Sequence, residues 1–127
     1  MIQELRDNGF LLKDEGDVSN FLGVNIVQND ATKQIVMTQT GLIDQIIEDL
    51  HLNKPNTKTK FNPAASVLHP DPDGAVCAED WNYHSVIGKM SFLAQMTRPD
   101  IAFTVHQCAR FSNGPKMLHE KAVKYLG

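Results

Sequence analysis

Pro55, Pro63, Pro70 and Pro72, with Asp73-Gly74 just behind them, set the strongest limit on the fold. Each proline fixes φ and removes a backbone donor, so neither a helix interior nor an inner strand runs through these positions. Residues 51–78 are therefore expected to form one long connection. Structureless loops beyond about 12–15 residues are uncommon in compact domains, so this one is expected to cross between two subdomains or to lie against a partner. Lys54, Lys58 and Lys60 stand at its start. The prolines divide the chain into a front and a rear with different hydrophobic patterns.

The front, residues 1–38, reads mainly as strands. Residues 2–8 suit a short helix, Asn8-Gly9 is a turn signal, and residues 10–12 form a short apolar strand. Residues 21–28 carry the β-branched enrichment of a longer strand. Asn29-Asp30-Ala31-Thr32 supplies turn chemistry, and residues 34–38 return as the second arm of a β-hairpin. The period then changes. Leu42, Ile43, Ile46, Ile47 and Leu50 recur at helical spacing, which predicts an amphipathic helix over 39–50 with Thr38 or Thr40 as its cap.

The rear, residues 79–127, reads as helices. Asp80 is the expected cap of a helix over 81–96 that buries Tyr83, Val86, Ile87, Met90, Leu93 and Ala94. Thr97 and Asp100 have the spacing of an acidic capping box, and Pro99 falls in a first helical turn, where it is tolerated. Ile101, Ala102, Val105, Cys108 and Ala109 form the apolar face of that next helix. Asn113-Gly114-Pro115 stops it, and a further helix begins at Lys116. No stop signal precedes Gly127, so both ends of the chain are expected to be cut rather than finished. The expected fold class is α+β: a short N-terminal β-hairpin segment followed by a mainly helical bundle.

Charge is distributed unevenly. The net formal charge is −3, yet residues 89–127 hold Lys89, Arg98, Arg110, Lys116, Lys121 and Lys124 against Asp100 and Glu120. A basic end on an acidic chain can track phosphate locally, and solvated helix faces account for the same charges. Cys77 and Cys108 fit no CxxC spacing and read as free thiols. No apolar run reaches the roughly 18–20 residues of a membrane span. The polar start resembles no secretory signal, which sets the expected location as intracellular. Asp14, Glu15 and Asp17 read as a solvated turn, and Asp71-Pro72-Asp73-Gly74 as a turn that lacks the later ligands of a calcium loop. The histidines match no zinc spacing, and no nucleophile elbow, GxGxxG or Walker loop occurs. No independent catalytic constellation is expected.

From Phe10 onward the residues follow a longer series. Phe10-Leu11-Leu12-Lys13-Asp14-Glu15-Gly16 leads to Phe21-Leu22-Gly23-Val24-Asn25-Ile26. After the loop come Tyr83, Ile87-Gly88, Leu93 and Thr97-Arg98-Pro99-Asp100-Ile101-Ala102-Phe103-Thr104-Val105, then Arg110-Phe111, Pro115, His119, Ala122 and Lys124. In order and spacing this series resembles the reverse transcriptase of copia-type LTR retrotransposons, part of their Pol polyprotein. Glu15, His84 and Ala109 depart from that pattern, where leucine, arginine and serine are usual.

The resemblance implies the last edge of a palm followed by thumb and connection helices. It implies a primer grip at Phe21, Leu22 and Gly23, although the side chains of Phe21 and Leu22 read equally well as hairpin core. It further implies that Lys89, Arg98, Arg110, Lys116, Lys121 and Lys124 meet the phosphates of a template–primer, the expected partner alongside the rest of the polyprotein. Thr97, Pro99 and Asp100 are a structural corner. Arg98 either pairs with Asp100 or a nearby carboxylate or faces the duplex, and the pairing is the preferred reading. The family's metal-binding Tyr-x-Asp-Asp and its earlier catalytic aspartate are expected before Met1, and its RNase H after Gly127. Nucleotidyl transfer needs those carboxylates to hold Mg2+. The chain is therefore expected to carry no cofactor and to be non-catalytic alone. A retained helical module that binds nucleic acid or protein is the alternative.

Overall fold

The computed structural model describes residues 2–9, 20–55, 58, 60–64, 66–77 and 81–127. The expected strand at residues 10–12, the acidic turn of Asp14, Glu15 and Asp17, and the expected cap Asp80 lie outside the described residues. The fold is α+β. Helix α1 (Ile2–Asp7) comes first, followed by strands β1 (Asn20–Phe21), β2 (Val24–Asn29) and β3 (Gln34–Thr38). Helices α2 (Thr40–Asp49), α3 (Tyr83–Met96), α4 (Ala102–Ala109) and α5 (Met117–Leu126) complete it.

The expected continuous strand over 21–28 is broken by a tight reversal. Leu22 takes φ +50 and Gly23 φ +78, the positive pair that a two-residue type I′ hairpin requires. Phe21 therefore pairs with Val24, and the sheet gains a short first strand in the order β1-β2-β3. β2 and β3 pair in register from Asn25 with Thr38 to Asn29 with Gln34. Their loop is closed by the Asn29 side chain, whose Oδ1 accepts from the N–H groups of Ala31 and Thr32. Val24 is buried, but Val27, Ile35, Val36 and Met37 remain exposed, so most of this sheet stands clear of the core.

The core belongs to the helices. α3 lies at its centre and buries all six residues of the face read from the sequence, Tyr83 to Ala94. Against it pack Ile46 of α2 and the C-cap residue Leu50, Val105 and Cys108 of α4, Val123 of α5, and Leu68 from the long loop. Each such side chain contributes about 1.5–3 kcal/mol on burial. The Tyr83 hydroxyl donates to the Cys108 carbonyl at 2.9 Å, tying α3 to α4 inside the core. Burial pushes the Cys108 thiol up to about 11, so it stays neutral and packs as an apolar group. Both cysteines are free.

The expected caps differ from the observed ones. α3 begins at Tyr83 and is capped by Asn82, whose Oδ1 accepts from the Ser85 N–H at 3.0 Å. Thr38 ends β3, Thr40 is already helical, and Gln39 occupies the N-cap of α2 without a side-chain cap bond. Thr97 and Asp100 form no capping box. Pro99 opens a short 3-10 turn over Pro99–Ile101 with no side-chain cap, because the Thr97 hydroxyl donates instead to Gln39 Oε1 at 2.9 Å. Gln39 is 1% exposed, and a buried amide oxygen is a stronger demand on that hydroxyl than a solvated helix end.

Among the described residues the segment after α2 holds no helix or strand, only an isolated bridge between Val76 and Lys116. Its anchor is His119, which is 1% exposed and stacks on Phe111 with ring centroids 3.9 Å apart. His119 Nδ1 accepts from the Lys116 N–H at 3.0 Å, and Nε2 lies 3.1 Å from the His69 carbonyl. Acceptance at Nδ1 places the ring proton on Nε2, where it donates to His69. One ring thus starts α5 and holds the loop.

Two stability changes follow. His119→Ala removes the partner of the part-buried His69 carbonyl and Lys116 N–H and empties a buried, stacked site, lowering the unfolding free energy by about 2–3 kcal/mol in urea titration. Leu22→Asn relieves the left-handed strain of an exposed leucine and raises stability by about 1 kcal/mol, read as a higher melting temperature.

Candidate nucleic-acid interface

The six basic side chains expected at a phosphate backbone do not form one surface. Lys89 projects from α3 to Asp49 of α2, with Nζ 2.7 Å from Oδ2 and both groups about one-third exposed. It holds two helices together. Lys116 serves through its backbone, as the N-cap residue of α5. Arg110 lies over the Phe111 ring at 5.6 Å and donates to Gln107 Oε1, remaining exposed just after α4. Lys121 is exposed on α5 and lines an apolar cavity of about 190 Å³ with Phe103, Leu118 and Tyr125.

Arg98 and Lys124 come together in a second place. Arg98 grips Asp100 with two parallel bonds, Nε to Oδ1 at 2.9 Å and NH2 to Oδ2 at 2.8 Å. Donation from Arg98 holds the Asp100 carboxyl below the usual carboxylate range. Both partners are about half exposed, so the pair fixes geometry more than it stabilises. Lys124 lies 3.8 Å from Glu120 one turn earlier on α5. The two cations line a cleft of about 360 Å³ whose other wall is the loop, carrying Lys58, Lys60 and Phe61. Lys60 Nζ stands over the Tyr125 ring at 5.4 Å. Phe61 is 105% exposed.

This cleft was only half visible in the sequence. Lys58 and Lys60 stand out in the sequence as charge, but nothing local says that the loop folds back onto α5 and the corner before α4. Phe61 and Tyr125 gave no signal, since single aromatic residues in a loop and on an amphipathic helix are ordinary. The primer-grip candidates lie elsewhere in the chain. Leu22 and Gly23 form the exposed β1–β2 turn, and Phe21 is placed by its backbone pairing with Val24. Among the described residues no group of three histidine, cysteine or carboxylate side chains is placed to hold a metal ion, and no helix is long and apolar enough to cross a membrane.

Comparison with known proteins places the chain near transposon proteins. It is 29% identical over 126 residues to the retrovirus-related Pol polyprotein from transposon TNT 1-94 of Nicotiana tabacum, covering 92% of this chain and 9% of that polyprotein. It is 26% identical over 129 residues to a transposon Ty5-1 protein of Saccharomyces cerevisiae, covering 92% of this chain and 39% of the relative. The chain thus spans well under half the length of these curated relatives. No protein-family model matches it, and no solved structure does.

Proposed function

We propose that this chain is a section of a copia-type retrotransposon reverse transcriptase, covering the palm edge and the thumb and connection helices. On this reading it helps to hold the template–primer within the polyprotein and performs no nucleotidyl transfer alone. The observation that carries the reading is continuity: both transposon relatives align along 92% of the chain. The ordered motif series from Phe10 to Lys124 and the α+β order of sheet, loop and helices support it. The Mg2+-binding aspartates of that family have no counterpart in the motif series here, so the residues present supply positioning rather than chemistry. A second reading, a nucleic-acid-binding module without polymerase activity, is favoured by one specific observation, the cation-lined cleft between the loop and α5.

Arg110 and Lys121 are the exposed cations of the helical region outside that cleft, and they test the duplex. Purified chain given primed template, deoxynucleotides and magnesium extends no primer. At low salt it binds a labelled RNA–DNA duplex in an anisotropy titration, and Arg110→Glu with Lys121→Glu weakens that binding about tenfold or more. Loss of two phosphate contacts lowers the salt slope by about 1.8. Primer extension would overturn the non-catalytic assignment. Absence of duplex binding at any salt would overturn the template–primer role.

A further inference from the structure

We infer that the cleft between the loop and α5 is a binding site for single-stranded nucleic acid, one that takes a phosphate on its cations and stacks a base on Phe61. The inference stands on the cleft and does not require the reverse-transcriptase reading. Three features point to that ligand. First, Lys58, Lys60, Arg98 and Lys124 converge on one concavity whose lining, among the described residues, holds one carboxylate side chain, Asp100. Arg98 engages Asp100 through two of its nitrogens and Lys124 lies 3.8 Å from Glu120, so the opposing charge belongs to the wall of Arg98 and α5, and the exposed Lys58 and Lys60 supply the excess positive charge. Second, Phe61 is fully exposed on the rim. A bare phenyl face beside lysines matches the alternation of base and phosphate along a single strand, in which backbone charge and base planes are both accessible. Third, the volume of about 360 Å³ falls within the range of about 300–1,000 Å³ typical of small-ligand sites, a size suited to one nucleotide unit rather than to the flank of a duplex.

Duplex is the weaker candidate for this site because its bases are stacked on one another and cannot reach Phe61. An anionic lipid surface would use the lysines and could take Phe61 into its interface, but Arg98, Lys124 and Lys60 line a concavity rather than a flat face, which suits a chain that enters it. The stacked Lys60–Tyr125 pair gives the floor a fixed cation, and Arg98 is fixed by its carboxylate. Two of the four charges are therefore set before a ligand arrives, and preorganisation of this kind lowers the ordering cost of binding.

The test uses the whole chain and fluorescence anisotropy at low and moderate salt. Its probes are labelled dT12, labelled rU12, a blunt 12-base-pair duplex, and vesicles rich in phosphatidylserine. Both single strands are expected to bind more tightly than the duplex. Phe61→Ala weakens single-strand binding about tenfold while Phe61→Trp retains it. Lys58→Glu with Lys60→Glu removes most of the binding and lowers its salt slope by about 1.4. Phe61 and the two lysines are exposed, so these variants keep the wild-type circular dichroism spectrum. Arg110→Glu with Lys121→Glu leaves single-strand binding within twofold of wild type. Failure of either single strand to bind, equal affinity for duplex, indifference to Phe61→Ala, or vesicle binding as strong as oligonucleotide binding overturns the inference. Duplex binding that depends on Arg110 and Lys121 can persist in each of those cases, so the template–primer role is judged separately.

Discussion

Burial of the inner face of α3 is the constraint on which the rest depends. Six of its side chains enter the core, and α2, α4 and α5 each add residues to the same cluster. α2 adds Ile46, with Leu50 at its C-cap, and is pinned by Lys89 to Asp49. α4 adds Val105 and Cys108 and is pinned by the Tyr83 hydroxyl to the Cys108 carbonyl. The two pins differ in worth. The lysine pair is partly solvated and contributes a few tenths of a kcal/mol to about 1 kcal/mol. The tyrosine bond is buried, and because the Cys108 carbonyl keeps the Phe111 N–H as a second donor, losing the hydroxyl costs about 0.5–1.5 kcal/mol, the net worth of one hydrogen bond.

Periodicity made the helices legible, since apolar spacing is a property of the residues themselves. All six α3 positions read from that spacing are buried, as are Ile101, Val105 and Cys108. Ala102 is nevertheless exposed and Thr104 takes its place inside. Ile101, Thr104, Val105 and Cys108 stand at i, i+3, i+4 and i+7, one helical face, whereas Ala102 at i+1 falls off it. The caps were less legible for a related reason. A polar side chain before a helix can cap it or bond elsewhere, and the choice depends on distant residues. Thr97 bonds to Gln39, 58 residues earlier in the chain, and no local pattern announces such a partner. The split of the first long strand turned on Gly23, whose left-handed φ was available in the sequence but competed with a strongly β-branched neighbourhood.

The motif residues that gave the family resemblance turn out to carry structural tasks in this fold. Tyr83 ties two helices, Gly23 makes the reversal, Arg98 and Asp100 lock the corner, and His119 starts α5 while holding the loop. Each performs a job that few other residue types can do. A histidine that accepts from one backbone group and donates to another cannot be replaced by a residue with a single polar atom. Likewise a lysine at position 98 would lose the two-pronged grip on Asp100. The series therefore speaks to ancestry and architecture more strongly than to chemistry.

That distinction changes where binding should be sought. Side chains committed to internal bonds, such as Lys89 on Asp49, would have to leave a folded contact to meet a ligand, and breaking that contact opposes binding. Exposed side chains outside such ion pairs are better placed: Lys58 and Phe61 are exposed in the loop, and Lys60, also exposed, keeps its charge while standing over the Tyr125 ring. The loop is held at His69 and again at Ala75 and Val76, where it meets the start of α5. Among its described residues the earlier part shows no ladder of backbone hydrogen bonds, and Lys58 and Lys60 line one cleft with Arg98 and Lys124. Arg98 is balanced by Asp100 and Lys124 lies beside Glu120, so the excess positive charge of the cleft is that of the loop lysines, and a bound polyanion would be attracted chiefly to them. The prolines that forbid regular structure therefore leave a segment free to follow α5, with its cations and its one bare aromatic ring turned toward a ligand.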